Sequence, residues 1–351
     1  MSDHPAQPAD RPVAQPDPPS LPTVPCSTAA RERQDPLLGT APPQHRFLLV
    51  EQDGGWAFAG FPALAIQEDI RDEVAARAEA AGARVMLIRR PGRHTSSVCL
   101  TRSWCVVDTR APEGARVTWG TWAYPTELLA AVDRLEELAG TERDRSADPH
   151  RSAPAAAPGE GDDFSSLEAP EELLILVCTH GKKDPCCAVR GRPVAAALAR
   201  RYPEATWECS HTGGDRFAAN VVVLPDGASY GGLDVDSALT TIADHRAGRP
   251  AAAHLRGVSG WARPEQAAIV AVHDQLGPLA PGSVTPVASR SEQPTGEDVA
   301  ASVVTLLLAD GRCVEVPVTE HVRAAARLTC RTEAHKVSQV PVPGVVRIVE
   351  P

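Results

Sequence analysis

Leu173-Leu174-Ile175-Leu176-Val177-Cys178-Thr179-His180-Gly181-Lys182-Lys183-Asp184-Pro185-Cys186-Cys187 is the stretch from which the fold is read. Its first five residues form an unbroken apolar run, the pattern of a short buried strand. Three thiols and an imidazole follow, and loops at the carboxyl ends of strands are where α/β folds place their sites. Beyond it, 194–201 is helical in composition. Short strands are predicted at 206–209, 219–224 and 228–231, with a Pro225-Asp226-Gly227 turn between the last two. Helices are predicted over 236–246 and 264–276, the latter with Pro264 inside its start and Gly277 past its end. This alternation predicts a thioredoxin-like α/β domain over residues 170–276.

Upstream, residues 25–140 show a similar order. Strands are predicted at 47–51, 84–88 and 105–108, the last led in by 98–100, with helices at 68–81 and 127–138. Val50 falls on Val177, and 84–100 falls on 206–222 with a modest shift. Glu51 then stands where Cys178 does, Arg89 where His211 does and Arg93 where Asp215 does. This predicts a related, degenerate α/β unit without a metal. Residues 1–24 are Pro-rich and too polar to offset ordering entropy, so a disordered arm is expected. Residues 141–169 and 277–297 are expected to be linkers. Residues 298–351 are expected to form a small β unit around the Asp310-Gly311 turn, with no chemistry of its own.

Of the 351 residues, 43% are hydrophobic and only 4% aromatic, so the core must rest on Ala, Val and Leu. A net charge of −10 argues against a nucleic-acid binder, which shows a basic face. No run approaches the roughly 20 apolar residues of a membrane span. Residues 1–24 lack the basic and apolar regions of a secretory signal. The nine cysteines are odd in number; without an export signal they are expected to be cytoplasmic thiols or metal ligands.

The second unusual stretch, Cys209-Ser210-His211-Thr212-Gly213-Gly214-Asp215-Arg216-Phe217-Ala218-Ala219-Asn220, also follows a strand. Two loops leaving neighbouring strands at one end can converge. Thiolates select iron–sulfur clusters, zinc or copper(I), and imidazole suits zinc and iron. Gly213 and Gly214 allow a tight turn and close approach to a cofactor. His211 and Asp215, four apart, can be offered to one diamond-shaped cluster by one loop.

The motif C-T-H-G-x-x-D-x-C-C, followed by S-H-T-G-G-x-R-F-A-x-N, resembles the sucrase/ferredoxin-like family of thioredoxin-like ferredoxins. The likeness is strongest over the middle domain and weaker over 25–140. Despite the family's name, the resemblance implies electron transfer by a [2Fe–2S] cluster rather than sugar cleavage. It implies a carrier working with a redox partner protein more than a substrate-converting enzyme. Fungal members hold the cluster by C-x8-C and H-x3-H. The cysteines carry over to Cys178 and Cys187 and the first histidine to His211; Asp215 stands in place of the second. A carboxylate there is expected to lower the reduction potential and make the cluster more labile. Cys209 is the rival fourth ligand, because strand positions 209 and 211 face one side. Cys186 is the rival of Cys187. His180, Lys182 and Arg216 are candidates for hydrogen bonds to the cluster or its ligands, and Asn220 is expected to tie the loop.

The same residues leave other chemistries open. A zinc site fits two cysteines, a histidine and an aspartate, although structural zinc favours C-x2-C spacing. A thiol oxidoreductase suits the fold, but there is no C-x-x-C. A hydrolase would need a paired-carboxylate context or a G-x-S-x-G elbow, and neither is present. A binding module with a decayed site is the non-redox alternative. Trp56, Trp104, Trp122 and Trp261 are expected to pack, and Cys99 and Cys105 to be strand-core thiols. Cys26 is expected near the start of the ordered chain, and 35–41 to lie as a docking segment against a domain.

Overall fold

The architecture comes from a computed structural model, which describes residues 24–92, 101–147, 173–296 and 298–349. The apolar run becomes strand β5 (Leu174–Cys178), buried along its whole length. Leu174, Leu176 and Cys178 face one side of the sheet, Ile175 and Val177 the other. β5 runs parallel to β6 (Thr206–Cys209) and antiparallel to β7 (Val221–Leu224). β8 (Ala228–Tyr230) and β9 (Leu255–Val258) extend that edge. Helix α4 (Pro185–Arg201) connects β5 to β6, α5 (Val235–Arg246) follows β8, and α6 (Arg263–Gln275) follows β9. The strand order β6-β5-β7-β8 with this connectivity is thioredoxin-like.

The first unit repeats it. β1 (Arg46–Glu51) is parallel to β2 (Ala83–Arg89) and antiparallel to β3 (Arg102–Asp108), which pairs with β4 (Val117–Trp122). Helices α2 (Glu68–Ala80) and α3 (Leu129–Ala147) complete a unit with the order β2-β1-β3-β4. Edge strands β2 and β6 then pair antiparallel, Ile88 with Cys209 and Arg89 with Glu208, giving one nine-stranded sheet. The seam carries a buried ion pair, Arg89 to Glu208 at 2.6 Å. Arg89 and Glu51 thus hold structural roles: Glu51 accepts the Ser103 N–H at 2.8 Å. Arg93 and Cys99 lie outside the described residues.

One sheet face is covered by helices, separately in each unit: Leu48 and Val50 pack with Val74 and Leu135, and Ile175 and Val177 with Val194 and Ile242. The other face is shared. Phe47, Leu49, Met86, Cys105, Leu174, Leu176 and Trp207 form one cluster across both units. The sheet curls to close it: Trp119 on β4 and Trp207 on β6 meet at 5.7 Å between ring centroids, although three strands separate them in the sheet. Arg116 meets Asp226 at 3.4 Å across the same gap. Burial on both faces explains why the strands read as continuous apolar runs rather than alternating ones.

A separate antiparallel sheet closes the described chain: β10 (Val284–Glu292), β11 (Ala300–Leu308), β12 (Cys313–Ala326), β13 (Lys336–Pro343) and β14 (Arg347–Val349). α6 lies on it, with Ala268 and Val272 against Val304, Leu306 and Val316.

Several boundaries differ from expectation. The expected linker 277–297 contains β10, whose apolar Val284 and Pro286 pair with β11 and whose outer residues are polar enough to read as loop. The expected linker 141–169 begins inside α3. Strands β4 and β9 were unforeseen. Among the described residues, no helix is long and apolar enough to cross a membrane.

Candidate metal centre

β5 and β6 end side by side, Cys178 level with Cys209, so the loops that follow start from one edge. The first is shorter than expected. Asp184 caps α4, its carboxylate accepting the Cys186 N–H at 2.9 Å, and Pro185 opens the helix. Cys186 and Cys187 therefore sit on a helical turn rather than in a loop. Asp-Pro before an apolar, alanine-rich run is a start signal, and the sequence reading placed the start nine residues too late. Adjacent helical residues point about 100° apart, so the two thiols part company.

Cys187 turns toward Cys178 and the second loop. Its Sγ lies 3.3 Å from Asp215 Oδ1, and Asp215 Oδ1 lies 3.1 Å from His211 Nδ1. Cys187 and His211 each also contact the Cys178 thiol. Cys178, Cys187, Asp215 and His211 thus form a ring in which Cys187–Asp215 and Asp215–His211 stand at hydrogen-bond distance and Cys178 interacts electrostatically with Cys187 and His211. Interaction with Cys187, whose S–H points to Asp215, holds the Cys178 thiol well below the ordinary range against the opposing effect of burial. His211 and the backbone N–H groups of His180 and Thr212 add to this. The Cys187 thiol is correspondingly pushed up. Burial works against a charged His211, yet Asp215 and Cys178 outweigh it and bring its pKa up to about 9. Asp215 is held below its ordinary value because His211 outweighs its own burial. His211 Nδ1, despite its closeness to Asp215, is buried without an aligned hydrogen bond.

The supports are tight. Gly191 on α4 is a close-approach position: a Cβ there would meet the Cys178 carbonyl oxygen at 2.1 Å. Gly214 adopts φ +73, and a Cβ would strike the Arg256 guanidinium at 2.5 Å. Arg256, fully buried, donates to the Gly213 carbonyl at 3.1 Å and to Asn220 Oδ1 at 2.9 Å. Asn220 ties the loop by donating to the Gly214 carbonyl at 2.9 Å. His180 accepts the His211 N–H at 3.2 Å on Nδ1, while its Nε2 lies 2.8 Å from the Ala57 carbonyl oxygen of the first unit. Lys182 is exposed, and Arg216 meets Asp35 at 3.4 Å. Asp35 belongs to the expected docking segment, which lies against the second unit: Ala41 and Gln266 exchange hydrogen bonds of 3.0 and 3.3 Å. Cys209 packs in the shared apolar cluster, and burial pushes its thiol up.

A second thiol group was missed. Cys186, turned away from the ring, lies 3.6 Å from Cys26 Sγ and 3.5 Å from Cys330 Sγ. Cys26 comes from helix α1 (Cys26–Glu32), and Cys330 from the loop between β12 and β13. With Asp184, their ligand atoms all lie within 4.8 Å of one another, an arrangement that could hold a metal ion. The appended β unit therefore does contribute to a possible site. No spacing signal joins residues 304 apart in sequence.

Residues 37–257, well over half of the chain, match the model of the family described as sucrase/ferredoxin-like. The chain belongs to this family. No curated protein and no solved structure matches it. The family match takes in most of both units and the whole Cys178–Asp215 ring. It stops short of Cys26 at one end and of Cys330 at the other.

The ring's donor set bears on whether a [2Fe–2S] cluster would fit there. It offers two thiol sulfurs, an imidazole nitrogen and a carboxylate oxygen, donor types that iron accepts. His211 Nδ1 is a buried polar atom with no aligned hydrogen bond within the chain. Backbone N–H groups aimed at a thiolate sulfur are the kind of donor that stabilises clusters. The residues fit the group.

Proposed function

We propose that the chain is a one-electron carrier with a [2Fe–2S] cluster, in which Cys178 and Cys187 would hold one iron and His211 and Asp215 the other. The observation that carries this reading is the ring of contacts among these four buried or half-buried side chains at the ends of β5 and β6. Bound there, the cluster would supply a reversible one-electron couple.

The chain's own residues set the conditions for that couple. The curled sheet and α4 bury Cys178 and Cys187, so the thiolate side is dry. His211 is about a quarter exposed, so the imidazole side faces the surface. Electrons would pass on that side to a redox partner protein. An anionic Asp215 in place of a neutral imidazole favours the oxidised state. His211 is a site where a proton can accompany the electron, since its imidazole is about a quarter exposed and paired with Asp215.

Anaerobic purification tests this with an absorption spectrum, iron and sulfide analysis, and electron paramagnetic resonance of the reduced form. Two irons and two sulfides per chain, with a reduced S = 1/2 signal, are expected. A colourless, iron-free protein holding zinc at the same four residues would overturn it.

A further inference from the structure

We infer that Cys26, Cys186 and Cys330, with Asp184, form a second, mononuclear zinc site that fastens the amino-terminal helix and the carboxyl-terminal sheet to the core. This inference does not depend on the cluster proposed above.

The geometry points to one ion rather than a cluster. Thiolates at about 2.3 Å from a tetrahedral zinc stand roughly 3.8 Å apart. The sulfur separations, 3.6 Å for Cys26–Cys186 and 3.5 Å for Cys186–Cys330, are close to that edge. Thiolates on different irons of a polynuclear cluster would stand farther apart. Asp184 Oδ1 lies 3.8 Å from Cys26 Sγ, and so can take the fourth position. Three thiolates select zinc or copper(I), and a carboxylate oxygen as fourth donor favours zinc. Three thiols meeting at one point are also a poor disulfide set, since any one bond strands the third.

The surroundings match what such a site requires. The Cys26 N–H donates to Cys330 Sγ at 3.2 Å. The Asp184 carboxylate is oriented by the Cys330 N–H at 2.6 Å and the Thr329 hydroxyl at 2.7 Å, besides the Cys186 N–H. Arg190 donates to Ser27 Oγ at 2.7 Å and to Thr28 Oγ1 at 2.9 Å, placing a cation beside an anionic site. Cys186 and Cys330 line a groove of about 570 Å³ with Pro25, Val189, Arg190 and Leu233, which gives the ion access.

The consequence is mechanical. Cys26 and Cys330 lie on opposite flanks of the family-matched region, and Cys186 lies within it. One ion would cross-link all three segments. It would also anchor the first turn of α4, whose next residue is Cys187.

The test uses the full chain, purified under reductant without chelator. Zinc and iron are measured together in the wild type and in the Cys26→Ser/Cys330→Ser double variant. Native alkylation and peptide mapping of the wild type follow, before and after treatment with a zinc chelator. The expected result is one zinc per wild-type chain, lost in the double variant with iron content unchanged. Cys26, Cys186 and Cys330 should be protected from alkylation until zinc is chelated. Should the double variant not fold, the alkylation map of the wild type still decides. Equal labelling of these thiols before and after chelation would overturn the site, as would their recovery as a disulfide. Iron content reports on the other site separately: protected thiols in an iron-free protein would remove the cluster and leave this site standing.

Discussion

Cys186 and Cys187 are neighbours on the first turn of α4 and serve different groups: Cys187 Sγ stands 3.3 Å from Asp215 Oδ1, and Cys186 Sγ 3.6 Å from Cys26 Sγ. The helix that Asp184 and Pro185 start turns Cys187 toward Asp215 and Cys186 toward Cys26. The consequences for the ring can be measured residue by residue.

Cys178→Ala and Cys187→Ala are expected to abolish the cluster, because each removes a thiolate from one iron. Cys209→Ser should leave the spectrum nearly unchanged, since Cys209 lies in the apolar cluster. Asp215→His should keep the cluster and raise its potential, an anion giving way to a neutral ligand. Absorption spectra and protein-film voltammetry check all four. Loss of the cluster in Cys209→Ser, with spectrum and potential untouched in Asp215→Ala, would make Cys209 the ligand.

Gly191→Ala separates local propensity from packing. Alanine in a helix interior normally gains about 1 kcal/mol over glycine. Here its Cβ would meet the Cys178 carbonyl at 2.1 Å. The expected outcome is a net loss of about 1–3 kcal/mol, typical of overpacking, together with reduced iron content. Urea denaturation and iron analysis read both; an unchanged or raised midpoint would refute the close-approach role.

Arg256→Lys keeps a charge and loses the planar fork. The carbonyl of Gly213 and the Asn220 side chain would each lose a buried donor, a cost of about 1–3 kcal/mol. The loop bearing His211 and Asp215 should loosen. Iron release to a chelator is expected to quicken in this variant, and equal release rates would show that Arg256 does not position the loop.

Stability should also depend on one histidine remote from both thiol groups. Burial pushes His273 on α6 down to about 4, and its Nδ1 accepts the Leu279 N–H at 3.3 Å. An unfolded histidine titrates near 6.5. Between these values the unfolded chain binds the extra proton and the folded chain does not. Stability from this group is therefore complete above about pH 6.5 and is lost as pH falls toward 4. The full loss is about 3 kcal/mol at 1.36 kcal/mol per pH unit. His273→Gln should flatten that part of the profile, read as urea midpoints from pH 7.5 to 4.5. An unchanged slope would assign the dependence elsewhere.

The sequence by itself determined the parts governed by local pattern. Leu174–Val177 has nowhere to go but a strand buried on both faces, and the Cys178 and His211 motifs carry the family. The matching order of β1–β3 and β5–β7, each with its intervening helix, was legible because short apolar runs and helical stretches alternate in both units. Only the tertiary structure decided what depends on distant chain segments meeting. The antiparallel seam of β2 on β6 is an edge-to-edge pairing, which leaves no mark in either strand alone. Strand β10 reads as loop because only part of one face is covered, and that cover comes from α6 and β11. Cys26 and Cys330 looked like an end residue and an idle thiol. They become a site because α1 and the β12–β13 loop fold back onto the start of α4, and a metal ion senses the distance between sulfurs, never their separation along the chain.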